Sequence, residues 1–297
     1  MAAACLRRGR TPRFADLGTA EANVKNLVLA EPAVMNPSPR YLTALPVFNE
    51  ASHVNPVLDA VVRHAADVLV VDDGSTDGTE DLLARRSDVV CIRHPQNRGY
   101  GAALKTAFDY AVCLRYDVLV TIDCDGQHEP QRIQQLAEAC GDADIVSGSR
   151  YLDVQADAGN APAERRRINQ QITRELNERL GLSLTDAFCG FKAYRVEALA
   201  RLAITEPGYG MPLELWVQAA HHGLHIVEVP VPLIYLDEQR SFGGSLDDGR
   251  KRIEYYYRVL DQSLARLRIG EVHSEIRNPK SEIGCPEPEF CDCVFPC

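Results

Sequence analysis

The sequence predicts an α/β fold: a mainly parallel, twisted sheet with helices on both faces, in a single domain between two terminal extensions. Three observations predict it. From residue 40 onward, short runs of Val, Leu and Ile alternate with segments of helical periodicity. Those runs are continuous rather than alternating with polar residues, as in strands buried on both faces. Three of them also end in acids: Asn49-Glu50, Asp72-Asp73, and Asp123 with Asp125. Open α/β sheets bind their ligands beyond the carboxyl ends of the strands, where these acids fall.

Residues 1–39 are weakly periodic and close on "EPAVMNPSPR", whose three prolines read as a linker. The ordered domain is therefore expected over 40–270, with 1–39 a partly disordered extension and 271–297 a cysteine-rich tail. The first strand is "YLTALPVF", followed by a helix from Ser52 to about Ala66. "DVLVVDD" is the second strand, with a short helix from Thr79, and "DVVCIRH" is the third. A helix from Gly101 to about Leu114 leads to strand four, "DVLVTID"; a helix from Glu129 to Cys140 leads to strand five, "ADIVSGS". After Arg150 a loop rich in Gly, Asp and Ala precedes the helical "ERRRINQQITRELNERL". Next come the segment "TDAFCGFKAYR" and a helix from Met211 to His222. A strand in "HIVEVPVPLIY" and an amphipathic helix from about Asp248 to Arg268 complete the domain. No internal repeat is evident.

Composition narrows the function classes. With 45% hydrophobic and 25% charged residues, the chain has an ordinary globular composition. A net charge of −10 argues against a broad footprint for nucleic acid. No run approaches the roughly 18 apolar residues of a spanning helix, so a cytoplasmic protein is expected, any membrane contact being peripheral. Arg7, Arg8, Arg10 and Arg13 precede the first acid, Asp16, and read as a disordered start rather than a transit peptide. Cys91, Cys113, Cys124, Cys140 and Cys189 are scattered singly through apolar segments, which suits reduced core thiols. Cys285, Cys291, Cys293 and Cys297 lack the paired C-x2-C knuckles of common zinc sites and read as a flexible acidic tail.

In "TIDCDGQHEP", Asp123 and Asp125 follow a buried strand, Gly126 frees the backbone to turn, and Gln127 adds an amide oxygen. Two like charges at that spacing are costly to bury, and an oxygen-only set of this kind suits hard Mg²⁺ or Mn²⁺. A helix N-terminus decorated with acids ahead of Pro130 is the bland alternative. In "VVDDGSTDGTEDLL", Asp72 and Asp73 can accept hydrogen bonds from a base or ribose, with Thr79 capping the next helix. "NRGYGAAL" lacks the third glycine of a dinucleotide fingerprint and follows the third strand, so close loop–helix packing explains its glycines.

"ALPVFNE", "VVDDGSTDGT", "NRGYGAAL", "TIDCDGQHEP", "SGSRY", "TDAFCGFKAYR" and "VEVPVPLIY" occur in the order and approximate spacing of the inverting, GT-A-fold (Rossmann-like) glycosyltransferase family 2. The resemblance covers about Arg40 to Arg268 and is nearest to the dolichyl-phosphate mannose synthase and polyprenyl-phosphate glycosyltransferase branch. It implies a metal-dependent transfer from a nucleoside-diphosphate sugar, GDP-mannose or a UDP-hexose, to a polyprenyl phosphate. By similarity, Pro46, Phe48 and Glu50 line the nucleotide base with Asp72 or Asp73. Asp123 and Asp125, joined by Gln127, hold Mg²⁺ or Mn²⁺ on the donor diphosphate. Arg150, Arg165 or Arg166, and Arg240 surround phosphates of donor or acceptor, a task that suits arginine's planar donors.

An anionic acceptor phosphate needs no strong base. A hydroxyl acceptor does, and Asp186 is then the candidate, its other role being to hold the "GFKAYR" turn. Glu214 of "MPLELW" is expected to orient the acceptor or a loop. The branch usually places a lysine after the serine of the loop following "VEVPV"; this chain has Leu246 after Ser245. Transfer to a soluble hydroxyl acceptor, and a non-catalytic nucleotide-sugar binding module, stand as alternatives.

Overall fold

The computed structural model describes residues 39–152, 162–234 and 244–276. In chain order the elements are β1 (Tyr41–Val47), α1 (Val54–Val61), β2 (Asp67–Asp72), α2 (Thr79–Leu83), β3 (Val90–Arg93), α3 (Tyr100–Cys113) and β4 (Val118–Thr121). A 3-10 turn at Pro130–Arg132 then leads into α4 (Ile133–Ala139) and β5 (Ile145–Ser149). After these come α5 (Ala163–Leu180), β6 (Lys192–Arg195), α6 (Val196–Leu199), α7 (Met211–His221) and β7 (Ile226–Pro230). A second 3-10 turn, Gly244–Asp247, precedes α8 (Gly249–Ile276). All of the strands expected from the aliphatic runs form, in one sheet ordered β3-β2-β1-β4-β6-β5-β7.

Alternate residues of each strand feed opposite faces. Leu69 and Val71 of β2 join a core with α3, α5, α7 and α8; Val68 and Val70 join a second core with α1 and α4. Leu42 and Ala44 of β1 face the first core, and Leu45 and Val47 the second. The strands are therefore sandwiched, which is why their sequences are continuously aliphatic. Trp216 on α7 is fully buried, and its indole N–H donates to the Ala187 carbonyl at 2.9 Å.

Three differences from the sequence expectation have local causes. "KAYR" is a strand, β6, inserted antiparallel between β4 and β5 with Val120 and Val146 both opposite Ala193. It has no aliphatic run because small Ala193 and Tyr194 fill its inward positions on the two faces, while the Lys192 ammonium donates to the Cys189 carbonyl. α1 ends at Val61 rather than Ala66, where the His64 N–H tightens onto the Val61 carbonyl three residues back, as in the 3-10-type turns that close helices. β3 is an edge strand, and Val90 is exposed despite its type.

Candidate active site

The carboxyl ends of β1, β2 and β4 converge through hydrogen bonds between their loops. Asn49 takes a left-handed conformation (φ 56°) that asparagine tolerates better than most residues. Its N–H donates to Ser75 Oγ (2.9 Å), and its Oδ1 accepts from the Thr76 N–H (2.8 Å). The Glu50 N–H donates to Thr79 Oγ1 at 2.9 Å. Thr79 thus braces β1's loop rather than capping α2; the N-cap is Gly78, and Asp77, just outside the helix, accepts the Thr79 N–H with Oδ1 at 3.0 Å.

The neighbouring aspartates at the end of β2, Asp72 and Asp73, have different surroundings. Asp73 borders a cavity of about 470 Å³ and accepts from the N–H groups of Gly99 (2.7 Å) and Arg98 (3.0 Å). Its Oδ1 also lies 2.6 Å from His94 Nδ1, while His94 Nε2 meets Thr106 Oγ1 at 2.9 Å. Asp72 accepts the Ser75 N–H (3.0 Å), with Arg93 Nε 3.2 Å away, and does not line the cavity. Of the two acids expected to meet a nucleotide, the cavity is thus bordered by Asp73, just past the end of β2, and not by Asp72. Gly99 (φ 106°) has no room for a Cβ, which would strike the Pro207 carbonyl, so the "NRGYG" glycines serve close packing.

Asp123 is held from three sides. Its Oδ1 accepts the Tyr100 hydroxyl (3.1 Å), and its Oδ2 lies 3.4 Å from His128 Nε2. Below it sits Gly190, where a Cβ would overlap the carboxylate itself. Asp125 Oδ1 accepts the Gln127 N–H at 2.9 Å around the turn that Gly126 makes with φ 72°. Asp123, Asp125 and Gln127 all border the cavity, as do Pro46, Phe48 and Glu50. Phe48 is 41% exposed, an open apolar ring at the end of β1.

The same cavity also has basic residues in its lining. Arg150 and Arg165 line the cavity; Arg166 does not, and packs over the Tyr151 ring at 5.7 Å. Arg150 is paired in bidentate fashion with Asp186: Nε donates to Oδ2 (2.6 Å) and Nη2 to Oδ1 (2.9 Å). Asp186 is fully buried and also accepts from Asn169 Nδ2 (2.7 Å) and the Phe188 N–H (3.1 Å). Burial alone would raise its pKa, but the Arg150 charge and these hydrogen bonds hold it at about 2. A carboxylate so saturated is a poor proton acceptor at neutral pH, and the geometry matches its alternative role of holding the turn and Arg150. Glu228 accepts the N–H groups of Thr185 (2.8 Å) and Asp186 (3.0 Å) from below.

Glu214 on α7 is buried and accepts the N–H groups of Thr205 (2.8 Å) and Glu206 (2.6 Å). Glu214 thereby holds a loop in place, and that loop carries Tyr209, which stacks on Tyr100 at 5.6 Å. Arg240 lies outside the described residues, as do the terminal cysteines and residues 1–38. Among the cavity residues that the sequence reading did not single out are Tyr209, Tyr256 and Arg252. The last two sit four apart on α8, a spacing that places both on one helix face, but nothing local says that this face meets the site.

The donor set fits a hard divalent cation. Two carboxylates and an amide, all oxygen, border a polar cavity, while among the described residues no three His, Cys, Asp or Glu side chains gather into a closed cage. Such a half-site suits a cation shared with the oxygens of a bound ligand.

The family model described as Glycosyl transferase family 2 matches residues 43–203. The polyprenol monophosphomannose synthase of Mycolicibacterium smegmatis is 31% identical over 259 residues, covering 83% of this chain and 95% of that protein. The undecaprenyl-phosphate mannosyltransferase of Micrococcus luteus is 36% identical over 244 residues, covering 78% and 99%. Among solved structures, the glucosyl-3-phosphoglycerate synthase of Mycobacterium tuberculosis, in complex with Mn²⁺, uridine diphosphate and glucosyl-3-phosphoglycerate, superposes with a TM-score of 0.61 at 20% identity, covering 77% and 81%. At that identity the likeness is one of fold.

Proposed function

The chain belongs to glycosyl transferase family 2 and has its GT-A fold, and from that premise we propose that it moves a sugar from a nucleoside-diphosphate donor to the phosphate of a polyprenyl phosphate. The observation that carries this is that one cavity is lined both by carboxylates at strand ends, Glu50, Asp73, Asp123 and Asp125, and by the guanidinium groups of Arg150 and Arg165. Carboxylates alone would repel a diphosphate; with a cation they attract one. The arginines suit an anion, which an uncharged sugar or alcohol acceptor would not bring.

Phe48 offers a flat apolar face to the nucleotide base, and Glu50 and Asp73 offer acceptors to base or ribose donors. Asp123, Asp125 and Gln127 would hold Mg²⁺ or Mn²⁺, which supplies positive charge against the departing diphosphate. An acceptor phosphate oxygen, already anionic, forms its bond to the anomeric carbon as the bond to the diphosphate oxygen breaks. The electron pair leaves on the nucleoside diphosphate, and attack from the opposite face inverts the centre. No proton has to move, in keeping with an Asp186 that stays ionised and paired. Arg150, locked by Asp186, keeps a fixed positive charge where negative charge collects. The relatives from Mycolicibacterium smegmatis and Micrococcus luteus carry polyprenol and undecaprenyl phosphate in their names, and both align over most of their length.

The test is a panel of GDP- and UDP-sugars with Mg²⁺ or Mn²⁺, following nucleoside diphosphate release with and without polyprenyl phosphate. Release from one donor, stimulated by the lipid, is the expected result. Equal release without the lipid, or stimulation by a soluble hydroxyl compound instead, would overturn the assignment.

A further inference from the structure

We propose that His94 is a positioning residue for nucleotide binding, acting through Asp73, a role that rests on the nucleotide-sugar reading proposed above. β2 and β3 run parallel with Asp72 opposite Arg93, so the next residues, Asp73 and His94, emerge side by side beyond the strand ends. The His94 N–H donates to the Asp72 carbonyl at 2.8 Å and extends the ladder that far. Asp73 is only 2% exposed although it borders the cavity; His94, 4% exposed, stands behind it and does not. A buried carboxylate is costly unless donors answer it. Three N–H groups do so here: His94 Nδ1 at 2.6 Å and the Arg98 N–H at 3.0 Å on Oδ1, and the Gly99 N–H at 2.7 Å on Oδ2.

The imidazole is held at both ends. Its Nε2 lies 2.9 Å from Thr106 Oγ1 on α3, whose hydroxyl also reaches the Ala102 carbonyl at 3.1 Å. In an imidazole the partners decide which nitrogen carries the proton. The Asp73 carboxylate only accepts, whereas the Thr106 hydroxyl can accept or donate, so a proton belongs on Nδ1. The ring is then a strut between α3 and the carboxylate, and it fixes the Asp73 rotamer. The Arg98 and Gly99 amides belong to the loop entering α3, and among the described residues His94 is the one side-chain donor that Asp73 has. With Oδ1 doubly engaged, Oδ2 keeps the greater accepting capacity and is the oxygen assigned to a nucleotide donor.

The experiment uses two amides that each imitate one end of the ring. Asparagine places an N–H donor where Nδ1 stands, and glutamine places one where Nε2 stands. His94→Asn therefore keeps the Asp73 contact and gives up Thr106, and His94→Gln does the reverse. Wild type and both variants are compared by calorimetric titration with GDP and UDP in the presence of Mn²⁺, and by steady-state turnover of the donor that wild type uses. Losing a hydrogen bond to a charged group is expected to weaken nucleotide binding and raise the donor KM about 10-fold or more in His94→Gln, while kcat and the lipid KM stay within about threefold. His94→Asn is expected to recover most of that loss. A packing defect would give the opposite order, since asparagine leaves the larger void. Imidazole ¹⁵N shifts of wild type, with the His94 signals identified by their absence from His94→Asn, should show a proton on Nδ1. An unprotonated Nδ1, equal nucleotide affinity in wild type and His94→Gln, or His94→Asn impaired as much as His94→Gln overturns the role of His94 and leaves the proposed transfer intact. A parallel rise of the lipid KM overturns it too. Wild type that binds neither GDP nor UDP overturns the placement of a nucleotide at Asp73, and this role with it.

Discussion

Arg150 and Asp186 form a bidentate ion pair, 2.6 and 2.9 Å, between the end of β5 and the segment leading to β6. Asp186 has no solvent exposure, and its folded pKa of about 2 lies below the ordinary 3.8. A depressed folded pKa contributes stability that is complete above the unfolded pKa and is lost as pH falls through the folded one. Here that window runs from about pH 4 down to about pH 2. The shift corresponds to about 2 kcal/mol. Removing one member of a buried pair costs about 3–5 kcal/mol because the other charge is stranded. Asp186→Asn is therefore expected to lose about that much stability in urea at pH 7, and the gap to wild type should narrow as pH falls from 5 toward 2. A gap that does not change with pH would show that the pairing does not set the stability.

Gly190 is the second constraint on the site. An added Cβ would overlap the Asp123 carboxylate, so Gly190→Ala must push that side chain away from Tyr100 and His128. The expected outcome is at least a tenfold loss of kcat/KM, about 1.4 kcal/mol, with a raised requirement for Mn²⁺. Manganese titration of turnover checks it. An unchanged metal requirement in Gly190→Ala would mean that Asp123 does not have to stand where it does.

Most of this fold could be read from the aliphatic runs, because a strand covered on both faces must be largely apolar, as β1, β2 and β4 are. The acids at three strand ends also border one cavity, since in such a sheet those ends share one edge. What escaped the sequence are features defined by partners distant in the chain. β6 is specified by small Ala193 fitting between Val120 and Val146, not by any run of its own. Asp72 and Asp73 look equivalent in sequence, and only their surroundings in the fold separate the one at the cavity from the one beside Arg93. Gly190 reads as an ordinary turn residue until Asp123, 67 positions earlier, is seen against it.

Glu214 controls the loop that brings Tyr209 over Tyr100. It accepts the backbone N–H groups of Thr205 and Glu206 and the Thr205 hydroxyl, and Arg266 reaches it from α8 at 3.2 Å. Glu214→Ala leaves two inward-facing amide donors unanswered, at about 1–3 kcal/mol. Hydrogen exchange at the Thr205 and Glu206 amides is expected to accelerate by about tenfold or more, with KM rising more than kcat falls, because Tyr209 loses its fixed position. Protection of those amides at the wild-type level would overturn the assigned role.

Asp125→Asn isolates the charge of the strand-end acids from their shape. The Asp125 Oδ1 accepts the Gln127 N–H, and an asparagine oxygen can accept it equally, so the turn at Gly126 should persist. A neutral amide, however, is a much weaker ligand for a hard divalent cation than a carboxylate. If that cation neutralises the leaving diphosphate, its loss is felt chiefly in the transition state, where the charge on the leaving oxygen grows. kcat/KM with Mn²⁺ is then expected to fall about 100-fold, about 2.7 kcal/mol, while the urea midpoint stays within the error of a neutral surface change. Chelation with EDTA should abolish wild-type turnover and hardly alter the residual rate of the variant. Electron paramagnetic resonance of added Mn²⁺ in the presence of nucleotide reads the same loss without turnover. Asp125→Asn that keeps wild-type activity and wild-type manganese binding would remove the cation from this edge of the sheet, and with it the reason for two neighbouring carboxylates there.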